Sequence, residues 1–128
     1  MNLLLDTHAL LWFLAADPKL SPSALNAIQD PTNVRWLSPI SLLEIAIKVR
    51  IGKLALPDPF AVVFPAKLLA NDIHLLPMES DHIEPLTRLP LHHRDPFDRI
   101  LSATTMVEGM TLVSADPMFD RYGLVRLW

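Results

Sequence analysis

Four acidic side chains of this sequence stand where predicted strands end or where predicted helices begin. Two of them follow apolar runs that predict strands, and the other two lie in the first turn or so of a helix. Carboxylates that converge at one sheet edge repel one another strongly, so a chain that gathers them usually holds a cation there. Ligand sets made only of oxygen suit Mg²⁺ or Mn²⁺ rather than zinc. We therefore predict one divalent metal site formed by Asp6, Glu44, Asp98 and Asp116.

Each acid also has a purely structural interpretation, which the sequence leaves open. Asp6 and Asp116 can be helix N-caps, a position where Asp is preferred. Asp98 can complement the dipole of its helix, and Glu44 can form an i,i+4 ion pair with Lys48. The ion pair alone does not explain Glu44, because its helix is apolar around most of its circumference. An acid that is buried there needs a partner, which a metal can supply.

The elements that must position these acids alternate between strand and helix along the chain. Alternation of this kind predicts an α/β fold whose mostly parallel sheet is covered on both faces, with ligands outside the carboxyl ends of the strands. The predicted strands are Asn2–Leu5, Val34–Leu37, His74–Leu76, Thr111–Ser114 and Leu124–Trp128. The predicted helices are Thr7–Ala16, one from Ser21-Pro22, one from Ser38-Pro39 or Ser41 to Gly52, Phe60–Asn71, Asp81–Arg88, one from Asp95-Pro96 to Glu108-Gly109, and one turn from Asp116-Pro117.

The composition excludes several classes of protein. With 128 residues, 51% of them hydrophobic, the chain is predicted to be a single domain, 1–128, with an apolar core. No run without a charged residue approaches the roughly 18 residues of a membrane span. The absence of cysteine excludes a zinc–thiolate site and fits a reducing, cytoplasmic setting. The net charge of −3 argues against nucleic-acid binding by a broad basic field, but not against binding through metal ions.

Two common catalytic arrangements are excluded as well. The three glycines, Gly52, Gly109 and Gly123, lie too far apart to form a phosphate-binding loop. The chain also has no G-x-S-x-G pattern, so no Ser/His/Asp triad can be argued.

The histidines are predicted to lie outside the metal site. A site of His and Asp is open on sequence grounds, because His92 and His93 lie beside Asp95 and Asp98. Adjacent loop residues seldom both face one ion, so we interpret this pair as solvated or substrate-facing. Three further histidines are scattered and are interpreted as structural: His8, His74 and His82.

Basic side chains accompany two of the acids. A short basic run follows Glu44, and two arginines flank Asp98. The simpler interpretation is a solvated surface, and the functional one is contact with phosphate near the metal. The residues concerned are Lys48, Arg50, Lys53, Arg94 and Arg99; Lys48 and Arg99, together with Ser114, are the candidates for substrate binding.

The acids and their surroundings resemble the PIN-domain family, and within it the VapC-type toxins of bacterial toxin–antitoxin pairs. The likeness spans nearly the whole chain, and the order and spacing of its motifs are specific. Ser114 stands where the family often has Thr, and Asp98 rather than Asp95 matches the metal-site acid, which leaves Asp95 as a helix cap. The stretches are LLLDT (Leu3–Thr7), SLLEIAIKVRIGKL (Ser41–Leu54), HHRDPFDR (His92–Arg99, followed by ILSA) and LVSADPMF (Leu112–Phe119).

The resemblance implies a PIN-like three-layer α/β/α sandwich that acts as a metal-dependent endoribonuclease. Asp6, Glu44, Asp98 and Asp116 would bind Mg²⁺, or Mn²⁺, and a metal-activated water would hydrolyse the RNA phosphodiester bond. A small antitoxin partner and a homodimer are also implied. Two alternatives stay open: a PIN nuclease of RNA processing that is not a toxin, and a receiver-like regulatory module. The latter needs a Lys after a late strand, where this chain has Ala115 and Asp116.

Overall fold

Five parallel strands form the central sheet in the computed structural model of the protein, which covers residues 1–128. The strands are β1 (Asn2–Leu5), β2 (Val34–Leu37), β3 (Ile73–Leu75), β4 (Thr111–Val113) and β5 (Val125–Leu127). Their order across the sheet is β3-β2-β1-β4-β5, and every neighbouring pair is parallel. The predicted parallel α/β sheet is thus confirmed.

Helices cover both faces of the sheet. They are α1 (Thr7–Leu14), α2 (Pro22–Gln29), α3 (Pro39–Arg50), α4 (Phe60–Val63), α5 (Ala66–Ala70), α6 (Ser80–Ile83) and α7 (Pro96–Glu108), with 3₁₀ helices at Glu84–Thr87 and Pro117–Tyr122. Side chains of β1 alternate between the faces: Leu3 and Leu5 belong to one apolar cluster, and Leu4 to a second. The result is three layers with two cores. None of the helices combines the length and the apolar character needed to cross a bilayer.

Two predicted helices are interrupted by proline. The helix expected over Phe60–Asn71 is divided into α4 and α5, because Pro65 cannot continue a helix and forces the residue before it, Phe64, into an extended conformation (φ −116°, ψ 122°). The helix expected over Asp81–Arg88 begins at Ser80 and changes to a 3₁₀ helix at Glu84, next to Pro85. The strand boundaries agree with the prediction to within one residue.

The strand order reverses between β1 and β4. The chain moves outward from β1 to β2 and β3, and then returns to the other side of β1 with β4. At this point Leu5 is paired with Val113, and the N–H of Asp6 donates to the carbonyl of Val113 at 3.1 Å. Open α/β sheets bind ligands in the crevice at such a reversal. The residues that follow β1 and β4 are therefore those placed for chemistry.

Candidate functional site

A polar cavity of about 170 Å³ opens where β1 and β4 end. Only one of the nine residues that line it is hydrophobic. The structure brings all four predicted acids together in its wall, although they come from distant parts of the sequence. The lining residues are Asp6, Thr7, His8, Glu44, Lys48, Asp95, Asp98, Leu101 and Asp116.

Asp6 and Asp116 are N-caps and also line the cavity. Oδ1 of Asp6 accepts the N–H of Ala9 at 2.7 Å and thereby caps α1. Oδ1 of Asp116 accepts the N–H of Met118 at 2.9 Å and caps the 3₁₀ helix that follows β4. In both cases a single oxygen makes the cap. The structural interpretation of these acids is therefore correct, and it does not exclude a role in the cavity.

Glu44 lies in the second turn of α3 rather than in the first, and is only 8% exposed. Its Oε1 accepts the hydroxyl of Thr7 at 2.6 Å, and its Oε2 lies 2.8 Å from Nζ of Lys48. The ion pair expected from the i,i+4 spacing is therefore present, but it is largely buried. The sequence did not predict this role for Thr7, although Thr7 directly follows Asp6.

Asp98 differs from the other acids of the cavity in its contacts. It lies in the first turn of α7, half-buried, and no hydrogen bond to its carboxylate is present. Burial and then the charge of Asp95 raise the pKa of Asp98 to about 6; His93 opposes this shift, while Glu44 and Asp116 add to it. A cation in the cavity would relieve this excess of negative charge.

The pKa values of the two strand-end acids shift in opposite directions. Burial raises the pKa of Asp6, and the neighbouring Ser114 hydroxyl and the Ala9 N–H offset only part of this. Burial alone would also raise the pKa of Asp116. Hydrogen bonds from His93 and the Met118 N–H outweigh burial, and the pKa of Asp116 is lowered. The protein itself therefore favours the ionised form of Asp116, whereas burial disfavours the ionised forms of Asp6 and Asp98.

His93 is buried against Asp116, which contradicts its interpretation as solvated or substrate-facing. Only 8% of it is exposed, and its Nε2 lies 2.7 Å from Oδ2 of Asp116. The hydroxyl of Tyr122 accepts the backbone N–H of His93 and lies 3.0 Å from its Nδ1. His92 packs edge-on against Tyr122 at a ring distance of 4.9 Å. Local sequence gave no signal for this arrangement, because its partners lie 23 and 29 residues away.

The donor set of the cavity fits a hard divalent cation. Ligand atoms of His93, Asp98 and Asp116 all lie within 4.8 Å of one another. Asp6 and Glu44 line the same cavity, and the charge of Glu44 acts on both Asp6 and Asp98. Carboxylate oxygens dominate, as Mg²⁺ and Mn²⁺ prefer. His93 already contacts Asp116, so its first role is to orient that carboxylate.

Of the three residues predicted to contact substrate, only Lys48 lines the cavity. Ser114 is fully buried, and its hydroxyl accepts the N–H of Asp116 at 3.1 Å, so it positions the strand end instead. Arg99 does not line the cavity. Lys48 does line it, with its ammonium on Glu44. The guanidinium of Arg99 holds the loop before α7 through the carbonyls of Leu86, Leu89 and Pro90.

The remaining histidines divide into two groups. His82 is buried with Nε2 2.6 Å from Glu108, and the ring of His74 packs at 5.3 Å against Trp36. Both have the structural role that was predicted. His8 differs, because it is exposed and lines the acidic cavity.

Solved structures share the architecture described above. One is VapBC2 from Rickettsia felis bound to a DNA fragment from its promoter (TM-score 0.73, 16% identity, 98% of this chain and 97% of that chain). Another is VapBC-1 from nontypeable Haemophilus influenzae (TM-score 0.67, 16% identity, 98% of this chain and 96% of that chain). A third is FitAcB from Neisseria gonorrhoeae (TM-score 0.61, 15% identity, 97% of this chain and 95% of that chain). At identities this low, the structural similarity shows only that the fold is shared.

Two sequence comparisons relate this chain to known proteins. The chain is 28% identical over 93 residues to a protein named SsrA-binding protein from Chlorobium luteolum; the match covers 69% of this chain and spans 59% of that protein's length. A family model described as PIN domain matches residues 3–124, which include all four acids of the cavity. The chain belongs to the PIN-domain family.

Proposed function

We propose that this PIN domain is a metal-dependent endoribonuclease that hydrolyses RNA phosphodiester bonds. The observation that carries the proposal is the acidic cavity at the strand-order reversal, where four carboxylates from distant segments meet. Lys48 is the one lysine or arginine that lines the cavity, and it is already paired with Glu44. Burial, and then the charges of Asp95, Glu44 and Asp116, raise the pKa of Asp98 to about 6, which supports a cation as the missing partner of this carboxylate.

The side chains of the cavity have distinct roles in the proposed reaction. When bound, Mg²⁺ (or Mn²⁺) lowers the pKa of a water and neutralises charge on the phosphate. Asp6, Glu44, Asp98 and Asp116 would hold the cation. His93 orients Asp116 through the 2.7 Å contact with Oδ2.

No side-chain nucleophile is required by this mechanism, and the cavity offers none. Its one hydroxyl belongs to Thr7, which donates to Glu44 at 2.6 Å and thereby fixes that carboxylate. Lys48 binds the other oxygen of Glu44, so the two contacts together set its orientation. The chain has a net charge of −3, so attraction of the scissile phosphate depends on bound cations rather than on lysines.

We further propose that the protein is a VapC-type toxin with a small antitoxin partner, that it forms a homodimer, and that it acts in the cytoplasm. The resemblance of its motifs supports the toxin, and the absence of cysteine fits a reducing compartment. An exposed apolar stripe along α3 and its C-cap, with residues spaced by four, supports a protein-binding surface. The stripe consists of Leu43, Ile47 and Ile51.

Strand order separates the proposal from the receiver-like alternative. Receiver domains share the flavodoxin-like order 2-1-3-4-5, whereas this sheet has the order β3-β2-β1-β4-β5. That alternative is therefore wrong. A PIN nuclease of RNA processing is the alternative that remains, and it predicts no adjacent antitoxin gene and no arrest of growth on expression.

The substrate class is tested by offering the purified protein RNA and single-stranded DNA of the same mixed sequence, with Mg²⁺. We expect internal cleavage of the RNA, with Asp58→Asn as a control because this acid is exposed and lies outside the cavity. Cleavage restricted to DNA, or absent from both, would contradict the proposal. For the toxin role, expression should arrest growth, and co-expression of a short upstream reading frame should restore it.

A further inference from the structure

A second and larger cavity, of about 580 Å³, adjoins the acidic one. Most of its lining is apolar, from α1, from the segment after α3, and from α4. His8 and Lys48 line both cavities, so the two are continuous along the surface. None of the residues that line only the larger cavity has a role in the chemistry proposed above.

An aromatic pair lies in the wall of this larger cavity. The indole of Trp12 is partly exposed, and its ring lies 5.5 Å from the imidazole of His8. Trp12 also packs against Trp128 at 5.8 Å, which holds the indole in place. Because His8 lines both cavities, the pair begins where the acidic cavity ends.

Positive charge is concentrated around the same cavity. Three lysines line it, Lys48, Lys53 and Lys67, against one acid, Asp17. Lys53 and Lys67 are exposed and form no ion pair, whereas the third lysine, Lys48, is paired with Glu44. An apolar cavity with aromatic side chains and free ammonium groups suits a ligand that is flat, apolar and anionic.

We infer that this cavity binds a nucleotide of single-stranded RNA next to the bond that is cleaved at the acidic cavity. The base stacks on Trp12, and Lys53 and Lys67 contact the flanking phosphates. Single-stranded nucleic acids are generally held in this way, by aromatic stacking within a basic groove. The inference rests on the proposed function, since it extends the substrate outward from the scissile phosphate.

Continuity of the two cavities favours RNA over an acidic, apolar peptide as the occupant. A polynucleotide with one phosphate at the acids must place its next nucleotide nearby, and His8 and Lys48 mark the path into the larger cavity. An acidic peptide that crossed this boundary would instead bring its own carboxylates toward the acids of the smaller cavity, which include Glu44 and Asp98.

The test measures binding of a labelled single-stranded RNA 12-mer by fluorescence anisotropy over a range of salt concentrations, in EDTA, which withholds the metal that the proposed cleavage requires. Removing two phosphate contacts on a single strand should reduce the slope of log Kd against log salt by about 1.4. We expect this change, and an increase in Kd of about tenfold at low salt, for the double variant Lys53→Gln/Lys67→Gln. The double variant Lys19→Gln/Arg121→Gln has the same net charge and changes exposed residues outside both cavities, so it should retain the slope.

Stacking is tested by Trp12→Leu, which should weaken binding about tenfold. Trp36→Leu is its control, because Trp36 is half-buried elsewhere and should leave Kd unchanged. The exposed lysines can be changed without affecting the core, so the lysine variant decides the outcome if Trp12→Leu does not fold. A wild-type protein that cleaves RNA, together with a lysine variant of unchanged Kd and slope, overturns this inference and leaves the proposed function standing. A wild type that cleaves no RNA overturns the function, whatever the 12-mer binding shows.

Discussion

Nε2 of His93 lies 2.7 Å from Oδ2 of Asp116, and this contact joins the loop before α7 to the end of β4. The other ring nitrogen of His93 lies 3.0 Å from the hydroxyl of Tyr122. An ionised Asp116 accepts from Nε2–H, and the Tyr122 hydroxyl can then donate to Nδ1. The three side chains therefore form a chain of hydrogen bonds that fixes one carboxylate of the acidic cavity.

The variant Tyr122→Phe tests this chain of hydrogen bonds. It removes the acceptor of the His93 backbone N–H and the partner of Nδ1, both within a buried region. Leaving such groups unsatisfied should cost about 1–3 kcal/mol in the free energy of unfolding. RNA cleavage should also slow, because Asp116 loses its fixed orientation. Urea midpoints and initial rates measure the two effects, with the exposed neighbour Arg121→Gln as control. Unchanged rates in a destabilised Tyr122→Phe would show that His93 does not position Asp116 for catalysis.

Stability of the metal-free protein should depend on pH through Asp98. Burial and the charge of Asp95 raise its pKa from 3.8 to about 6, so the folded state binds this proton more tightly than the unfolded state does. The contribution of Asp98 to stability is therefore most favourable below pH 3.8, and it is lost as pH rises through about 6. Asp98→Asn should be more stable than wild type at pH 8 in EDTA, by about 1 kcal/mol after solvent screening is allowed for.

The same comparison near pH 3.5 provides the control for Asp98→Asn. There Asp98 is mostly protonated in both states, so the difference between the urea midpoints should disappear. A variant that is less stable than wild type at pH 8, with a smaller difference near pH 3.5, would mean that ionised Asp98 stabilises the helix dipole of α7 and is not part of a repelling cluster.

Mg²⁺ should stabilise the wild-type protein through mass action. A ligand at 100 times its Kd adds about 2.7 kcal/mol to the free energy of unfolding. Glu44→Gln should respond much less, because it loses one carboxylate of the cavity. The difference between EDTA and Mg²⁺ is the proper readout for this variant, since in EDTA the lost contacts with Thr7 and Lys48 oppose the relieved repulsion. A full response to Mg²⁺ in Glu44→Gln would remove Glu44 from the metal site; Asp58→Asn serves as the matched control.

Much of the fold and the meeting of the four acids could be predicted because both depend on local signals. Asp6 and Asp116 follow apolar strands, and parallel strands bring their carboxyl ends to one edge. An acid can cap a helix and also line the metal site, because a carboxylate has two oxygens and the cap uses one of them. Pro65 is also visible in the sequence, and it divides into two a helix that was predicted to be continuous.

The contacts that orient the acids could not be predicted, because they join distant segments. His93 meets Asp116 and Tyr122 only after α7 and β4 have packed, and no short-range pattern specifies this. Charge next to an acid in sequence was also a poor guide to which side chains line the cavity. Arg99 follows Asp98 directly, yet the turn of α7 directs its guanidinium to loop carbonyls outside the cavity.

The most direct measurement is the initial rate at which purified protein cleaves a mixed RNA, in Mg²⁺ and in EDTA, for wild type and Asp98→Asn. Asp98 is suited to this test because its carboxylate makes no hydrogen bond within the protein, so that the substitution removes charge without breaking a contact. The account predicts that cleavage stops in EDTA, returns with added Mg²⁺, and falls at least a hundredfold in Asp98→Asn, on the order of 2.7 kcal/mol in the barrier. Cleavage that persists in EDTA, or that is unchanged in Asp98→Asn, would contradict it.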